Sequence, residues 1–290
     1  MRADIERFAI DQLIAADRDG SAGRPLTFAI QVPELLSVGV HWHDYYELGY
    51  VLEGTAVHVV NGTEERLSPG CGFLLSPADF HALEPTGTTR LRVMNAVLHP
   101  QLVEAVLDSV IPSGDTRLPW TTGEMVAAAD DVARLCDELS TRRPGWDVLV
   151  ESLLRALVVR FARDCGRPPG TEGHERSDPT PQAGSSPGVR HAIRFVERHF
   201  REPLTLAQVA AVAHLSPHWF SSQFRLATGD AFQVYLQRRR LQFARALLDS
   251  TDLGVTEVCH AAGFNDPSYF GRAYRARYGA PPSRRTARRP

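Results

Sequence analysis

Two copies of one short pattern in the last third of the chain restrict its fold more than any other feature of the sequence. Val255 to Ala262 reads as a helix of small and apolar residues that stops at Gly263, which enters a left-handed turn cheaply. Asp266 then offers a cap, and Pro267 takes a first helical position where no backbone donor is needed. In the helix that follows, Phe270 and Tyr274 stand four apart and face inward, leaving Ser268, Gly271, Arg272 and Arg275 on the other faces. Upstream the layout repeats. Leu206 to Ala213 is a small apolar helix, His214-Leu215 makes the turn, and Ser216-Pro217 caps and starts a helix carrying Trp219, Phe220 and Phe224. A longer helix from Phe232 to Leu248 joins the two units. Two short helices about a tight turn, the second with a cationic outer face, predict a helix-turn-helix reader of DNA, present here in tandem.

The charge distribution agrees with that division of labour. The net charge is -2, yet from Pro187 onward 16 Arg stand against 7 Asp and Glu, a balance of +9 that leaves -11 for the remainder. A basic end on an acidic body fits a nucleic-acid reader joined to a part that must not bind DNA. Every cation is Arg and none is Lys, which we read as coding bias. At 290 residues the chain has room for two cores. It holds no apolar run of bilayer length and no signal layout at its N-terminus, so a cytoplasmic protein without a membrane partner is expected. Cys71, Cys136, Cys165 and Cys259 lack the spacing of a zinc finger or a disulfide framework.

Taken in order, Ile5 to Ala16 reads as a short helix. From Leu26 to Leu98, short runs rich in Val, Leu, Phe and Tyr are broken by Gly, Pro and Asn-Gly. Glu47–Glu53 and Ala56–Val60 are expected as strands meeting near Gly54, and Asn61-Gly62 as a hairpin turn into Thr63–Leu67. Gly72–Ser76 and Arg90–Leu98 complete the set. Regular short strands suggest a small β-barrel or jelly roll over residues 1–100. Helical spacing rules residues 101–165. Leu102, Val106 and Val110 mark one helix, Val126–Leu139 a second, and Val148–Phe161 a third with Leu149, Leu153, Leu157 and Phe161 as its stripe. These helices serve either to cover the barrel or as a dimer surface, because an amphipathic stripe alone does not separate the two. Residues 166–188, with Pro168-Pro169-Gly170 and Gly184-Ser185-Ser186-Pro187-Gly188, read as a flexible linker to a domain over residues 189–290.

A second constellation lies in the β-rich part. His41 and His43, two apart, share one face of a strand, and Glu47 joins them if that strand runs on. A third His from a neighbouring strand would complete a three-His, one-carboxylate set, which suits Zn, Ni, Fe or Mn without choosing among them. The spacing is similar to the two signature motifs of cupin barrels, H-x-H-x-x-x-E with six residues to Gly54 and P-x-x-x-H from Pro77 to His81. That resemblance implies His41, His43, Glu47 and His81 as metal ligands. Two positions depart from the pattern: Gly39 lies closer to the first His than the motif's glycine, and Pro85 replaces the expected Asn. His58, His99 and His191 are read as ordinary histidines.

The C-terminal hundred residues resemble the DNA-binding domain of AraC/XylS-type transcription regulators. Ser216-Pro217, Phe224, Gly229, Arg240-Leu241, Ala244, Leu247-Leu248, Gly263-Phe264, Asp266, Ser268-Tyr269-Phe270, Arg272, Gly279 and Pro282 carry the resemblance. It implies an α+β protein: a cupin-like sensory barrel with a helical segment, then an all-α double helix-turn-helix domain. By the family's pattern, Pro217, His218, Ser221, Ser222 and Arg225 line the outer face of the first reading helix, and Pro267, Ser268, Gly271, Arg272 and Arg275 that of the second. Arg272 is expected at a base edge, whereas Arg225, Arg275 and Arg277 are expected at phosphates. Ser222 stands where the family frequently has Arg, so the first unit is expected either to read weakly or to read through His218 and Ser221. The resemblance also implies a double-stranded DNA operator, a small-molecule effector, contact with RNA polymerase during activation, and a homodimer. Many such regulators bind an organic effector in the barrel, so a metal centre and an effector pocket lined by histidines both remain open. The alternative reading is a metal-dependent cupin enzyme with an accessory nucleic-acid-binding end.

Overall fold

The computed structural model describes residues 6–8, 28–35, 37–110, 122–164 and 186–283. The first part is two β-sheets laid face to face. One has the order β1 (Glu6–Phe8), β4 (Val38–His43), β9 (Phe80–Thr86), β6 (Thr55–Val60), β7 (Thr63–Leu67). The other runs β11 (Thr122–Glu124), β8 (Cys71–Leu75), β5 (Tyr46–Glu53), β10 (Leu91–Leu98), β2 (Phe28–Gln31), with β3 (Glu34–Leu35) also paired to β10. The pairings are antiparallel except that β1 runs parallel to β4. Asn61 and Gly62 both take positive φ, as the two-residue turn between β6 and β7 requires.

Side-chain alternation sets the layers. Along β5, Tyr46, Leu48 and Tyr50 face a core shared with helices, while Val51 belongs to the core between the sheets. The covering helices are α1 (Pro100–Val110), α2 (Ala129–Thr141) and α3 (Trp146–Asp164), with a 3-10 turn over Val126–Ala128 leading into α2. Gly49, also on β5, faces inward and lets Phe73 cross beneath it: a Cβ there would lie 2.0 Å from the Phe73 ring.

Three expectations need correction. Glu6–Phe8 form a strand rather than the start of a helix, because they pair beside His41–His43; the rest of Ile5–Ala16 lies outside the described residues. The strand holding His41 and His43 does not run on to Glu47, since a turn at Asp44-Tyr45 sends the chain into the opposite sheet. The buried stripe of α3 is Trp146, Val150, Leu154, Leu157, Val158 and Phe161, with Leu149 exposed, because the 3.6-residue repeat drifts away from a strict four-residue spacing. β2, β3 and β11 are strands that the sequence reading did not mark, and β9 is the neighbouring strand expected to bring the third histidine.

Of the proposed linker, residues 166–185 lie outside the described residues, and Pro187 and Gly188 already belong to α4 (Pro187–His199), capped by Ser186. Then come α5 (Leu206–Val212), α6 (Pro217–Thr228), α7 (Phe232–Ser250), α8 (Val255–Ala261) and α9 (Pro267–Tyr278). The two helix-turn-helix units repeat each other at the backbone. In the first, His214 N–H donates to the Ala211 carbonyl and Leu215 N–H to Ala210; in the second, Gly263 N–H donates to His260 and Phe264 N–H to Cys259. His214 and Gly263 take the left-handed conformation at equivalent positions, with φ of 55° and 83°. Phe220, Phe224, Phe270 and Tyr274 fill the core between them. Substituting Gly49 by Ala is expected to destabilise the barrel by roughly 1–3 kcal/mol through overpacking against Phe73. Urea denaturation of the full chain should show a lower midpoint for its β-rich transition.

Candidate effector site and DNA-reading face

The interior between the sheets carries an unusual polar group. β4 contributes His41 and His43, β9 His81 and β6 His58, all from one sheet, and β5 of the other sheet sends Glu47 across to meet them. All five side chains are buried. His41 and His81 are cross-strand partners with ring centroids 4.1 Å apart. Ligand atoms of His41, Glu47 and His81 lie within 4.8 Å of one another.

Hydrogen bonds fix several tautomers. His41 Nδ1 sits 2.9 Å from the Gly39 carbonyl and His43 Nδ1 2.8 Å from the Tyr45 carbonyl. A carbonyl can only accept, so both Nδ1 atoms carry a proton, and the neutral form of either ring keeps its lone pair on Nε2. His43 Nε2 lies 3.2 Å and His81 Nε2 3.7 Å from Glu47 Oε2, and among the described residues neither nitrogen has another hydrogen-bond partner. Asn95 Nδ2 donates to Glu47 Oε1 at 3.1 Å. On its far side, His81 Nδ1 meets His58 Nε2 at 3.0 Å.

Burial pushes the Glu47 carboxyl up, but the imidazoles of His81, His43 and His41 outweigh it and hold the group below its usual range. Burial likewise lowers His81, and takes His58 down to about 4. The site is one buried carboxylate beside four buried imidazoles, of which His58 and His81 are held toward the neutral form. That donor set fits a divalent transition-metal ion, which would take His41, Glu47 and His81 as ligands. His43, stacked on Tyr45 with ring centroids 4.2 Å apart, stands outside that group of three and braces the carboxylate. His58 and Asn95 are additions to the sequence-based set. The signal for His58 was its place on β6, where Ala56, His58 and Val60 alternate inward; Asn95 left no such mark.

On the helical side, Pro217, His218, Ser222 and Arg225 of α6 are exposed and Ser221 is half-buried. On α9, Pro267, Ser268, Arg272 and Arg275 are exposed and Gly271 is half-buried. Ser216 Oγ accepts the Trp219 N–H and Asp266 Oδ1 the Ser268 N–H, so each reading helix starts from the cap that its sequence promised. Open space surrounds the Gly271 Cα, which leaves a flat approach beside Arg272.

Residues 209–288 match the model of a helix-turn-helix domain, and residues 33–158 that of the AraC-like ligand-binding domain. The chain belongs to the AraC family of transcription regulators. It is 27% identical over 246 residues to the HTH-type transcriptional activator RhaS of Escherichia fergusonii, covering 83% of this chain and 85% of that one. RhaR of Shigella flexneri is 26% identical over 250 residues, with 84% and 85% covered. Among solved structures, apo ToxT K231A of Vibrio cholerae is 12% identical with a TM-score of 0.40, covering 88% of this chain and 95% of that one. The DNA-binding domain of AdpA, in complex with a target DNA, is 29% identical with a TM-score of 0.33, covering 33% and 87%. Among the described residues no helix is long and apolar enough to cross a membrane.

The low folded pKa of His58 gives a pH dependence. The unfolded chain binds more protons than the native one between the ordinary histidine value near 6.5 and about 4, so stability falls as pH drops through that window. Thermal melts of the apo protein from pH 7 to pH 4 should show a falling midpoint, and His58→Gln should make the fall shallower.

Proposed function

We infer that this regulator reads its operator with α6 and α9, and that its barrel binds an effector at the His41–Glu47–His81 cluster, with a divalent metal ion as the leading candidate. One observation carries the effector reading: ligand atoms of His41 and His81 lie buried within 4.8 Å of each other and of the Glu47 carboxylate, with space for one ion to join them. A bound ion would offset that charge and tie β4, β5 and β9 together. An organic effector in the same pocket, held by hydrogen bonds from Asn95 and the histidines, is the second reading. The enzyme alternative falls away, since relatives matching most of the chain are named transcriptional activators.

The names of those relatives support activation of transcription, which we take to proceed by contact with RNA polymerase in the cytoplasm. A homodimer is supported by Val126, Val148 and Leu149, large apolar residues left exposed at the start of α2 and α3. Effector control of DNA binding needs only that the effector bind one arrangement of the chain better than another.

Elemental analysis of the purified protein beside His41→Ala/His81→Ala decides the metal question. About one transition-metal ion per chain, lost in the double variant, is the expected result; a metal-free wild type that gains none on incubation transfers the site to an organic effector. His58→Ala should weaken metal binding by roughly 10- to 100-fold, as loss of an orienting partner does. For DNA, Arg272→Ala should cost about 1–3 kcal/mol on the operator and little on random duplex. Arg275→Ala should weaken both alike. A titration at one salt concentration in which Arg272→Ala left the operator-to-random ratio unchanged would overturn the assignment.

A further inference from the structure

The wall of the effector site is also the floor on which the DNA-binding domain sits. β4 and β9 are paired so that His41 faces His81 and, one residue on, Trp42 faces Phe80. Because side chains alternate, the first pair points into the cluster and the second points out. Outside, both aromatics meet one residue of α7: the Phe243 ring lies edge-on to Trp42 at 5.9 Å and to Phe80 at 5.6 Å between centroids. Phe80, Trp42 and Val40 accordingly belong to the core of the helical domain.

Arg201 closes this contact. Its guanidinium lies over the rings of Trp42 (5.4 Å), Phe243 (5.1 Å) and Phe200 (5.3 Å), and Nη2 reaches the His43 carbonyl at 3.5 Å. Its backbone faces the other way. The Arg201 carbonyl would lie 2.4 Å from a Cβ at Gly263, the turn that launches the second reading helix. Arg240 pins the same loop, donating to the carbonyls of Phe200 and Glu202 at 2.6 Å each. The turn of the first unit has a different support, since Gly188 of α4 packs against the Ala213 carbonyl. Two flanking contacts hold the domains in register: Arg198 Nε with the buried Glu104 at 3.2 Å, and the Asn61-Gly62 turn against Ser250.

We propose that Trp42 and Arg201 form a relay from the effector site to the second helix-turn-helix unit alone, so that a shift of the β4–β9 wall moves the turn at Gly263 and with it α9. The relay rests on the barrel being an effector site, and it makes Trp42 and Arg201 positioning residues that touch neither effector nor DNA. It also makes the response unequal: the half of the operator under α9 answers to the effector, and the half under α6 does not.

Hydrogen exchange on the full chain tests the relay without any ligand. In Trp42→Ala the amides of Gly263 and Phe264 should exchange at least roughly fivefold faster, with those of His214 and Leu215 unchanged. Trp42→Phe, which keeps a ring against Phe243, should restore the native rates. Unchanged rates at Gly263 and Phe264, or equal acceleration in both units, would overturn the proposal, the latter because it reports general loosening. Zinc supplies the second arm. If it binds the wild type, protection at Gly263 and Phe264 should change, and that change should vanish in Trp42→Ala although zinc still binds; zinc bound with no change at those amides would also sink the relay. Failure of zinc to bind counts against the metal reading of the pocket, while the ligand-free comparison still decides the relay.

Discussion

Burying a carboxylate is costly unless donors come to meet it, and Glu47 sets that condition for the barrel. The chain answers with the Asn95 amide on one oxygen and a ring of imidazoles about the other. Carbonyls of Gly39 and Tyr45 in turn fix the tautomers of His41 and His43. Those carbonyls belong to β4 and to the turn that leads to β5, so the path of the backbone and the chemistry of the cluster are one arrangement. A regulator needs this kind of poise. A site fully satisfied by its own side chains would gain little from a ligand, whereas one that leaves a buried ring nitrogen such as His81 Nε2 without a hydrogen-bond partner among the described residues gains from a cation or a hydrogen-bonding guest.

The same strands tie sensing to reading. A β-strand has two faces, and on β4 and β9 one face is given to the pocket and the other to the helical domain. The core of that domain incorporates Phe80, so the two parts of the chain are not independent bodies joined only by a tether. Reading faces stay free in this arrangement: Arg225, Arg272 and Arg275 are all exposed. Contact between the domains therefore leaves the reading faces uncovered.

Much of this was legible in the sequence, for identifiable reasons. The helix-turn-helix units announced themselves because their signals are local: caps at Ser216 and Asp266, prolines behind them, and Gly263 at a left-handed turn. His41, His43, Glu47 and His81 stood out by spacing. What spacing did not reveal was that Glu47 comes from the opposite sheet, because a turn at Asp44-Tyr45 has none of the glycine or proline that marks most turns. His58 and Asn95 enter the site through pairing between strands distant in sequence. The Trp42–Phe243 contact is longer in range still. The stripe of α3 slipped because Leu149 and Val150 are both apolar, and only packing against α1, α2 and the sheet chooses between them.

The 19-residue helix α7 that joins the two units has a consequence for the DNA. At about 1.5 Å per residue it is a rod of roughly 28 Å, close to the ~34 Å repeat of the double helix. A rod does not stretch as a loop does. The protein thus reads its two subsites as a single word with a fixed gap, and genomic sites that differ only by a half-turn insertion between the subsites are different words to it, however well each half matches.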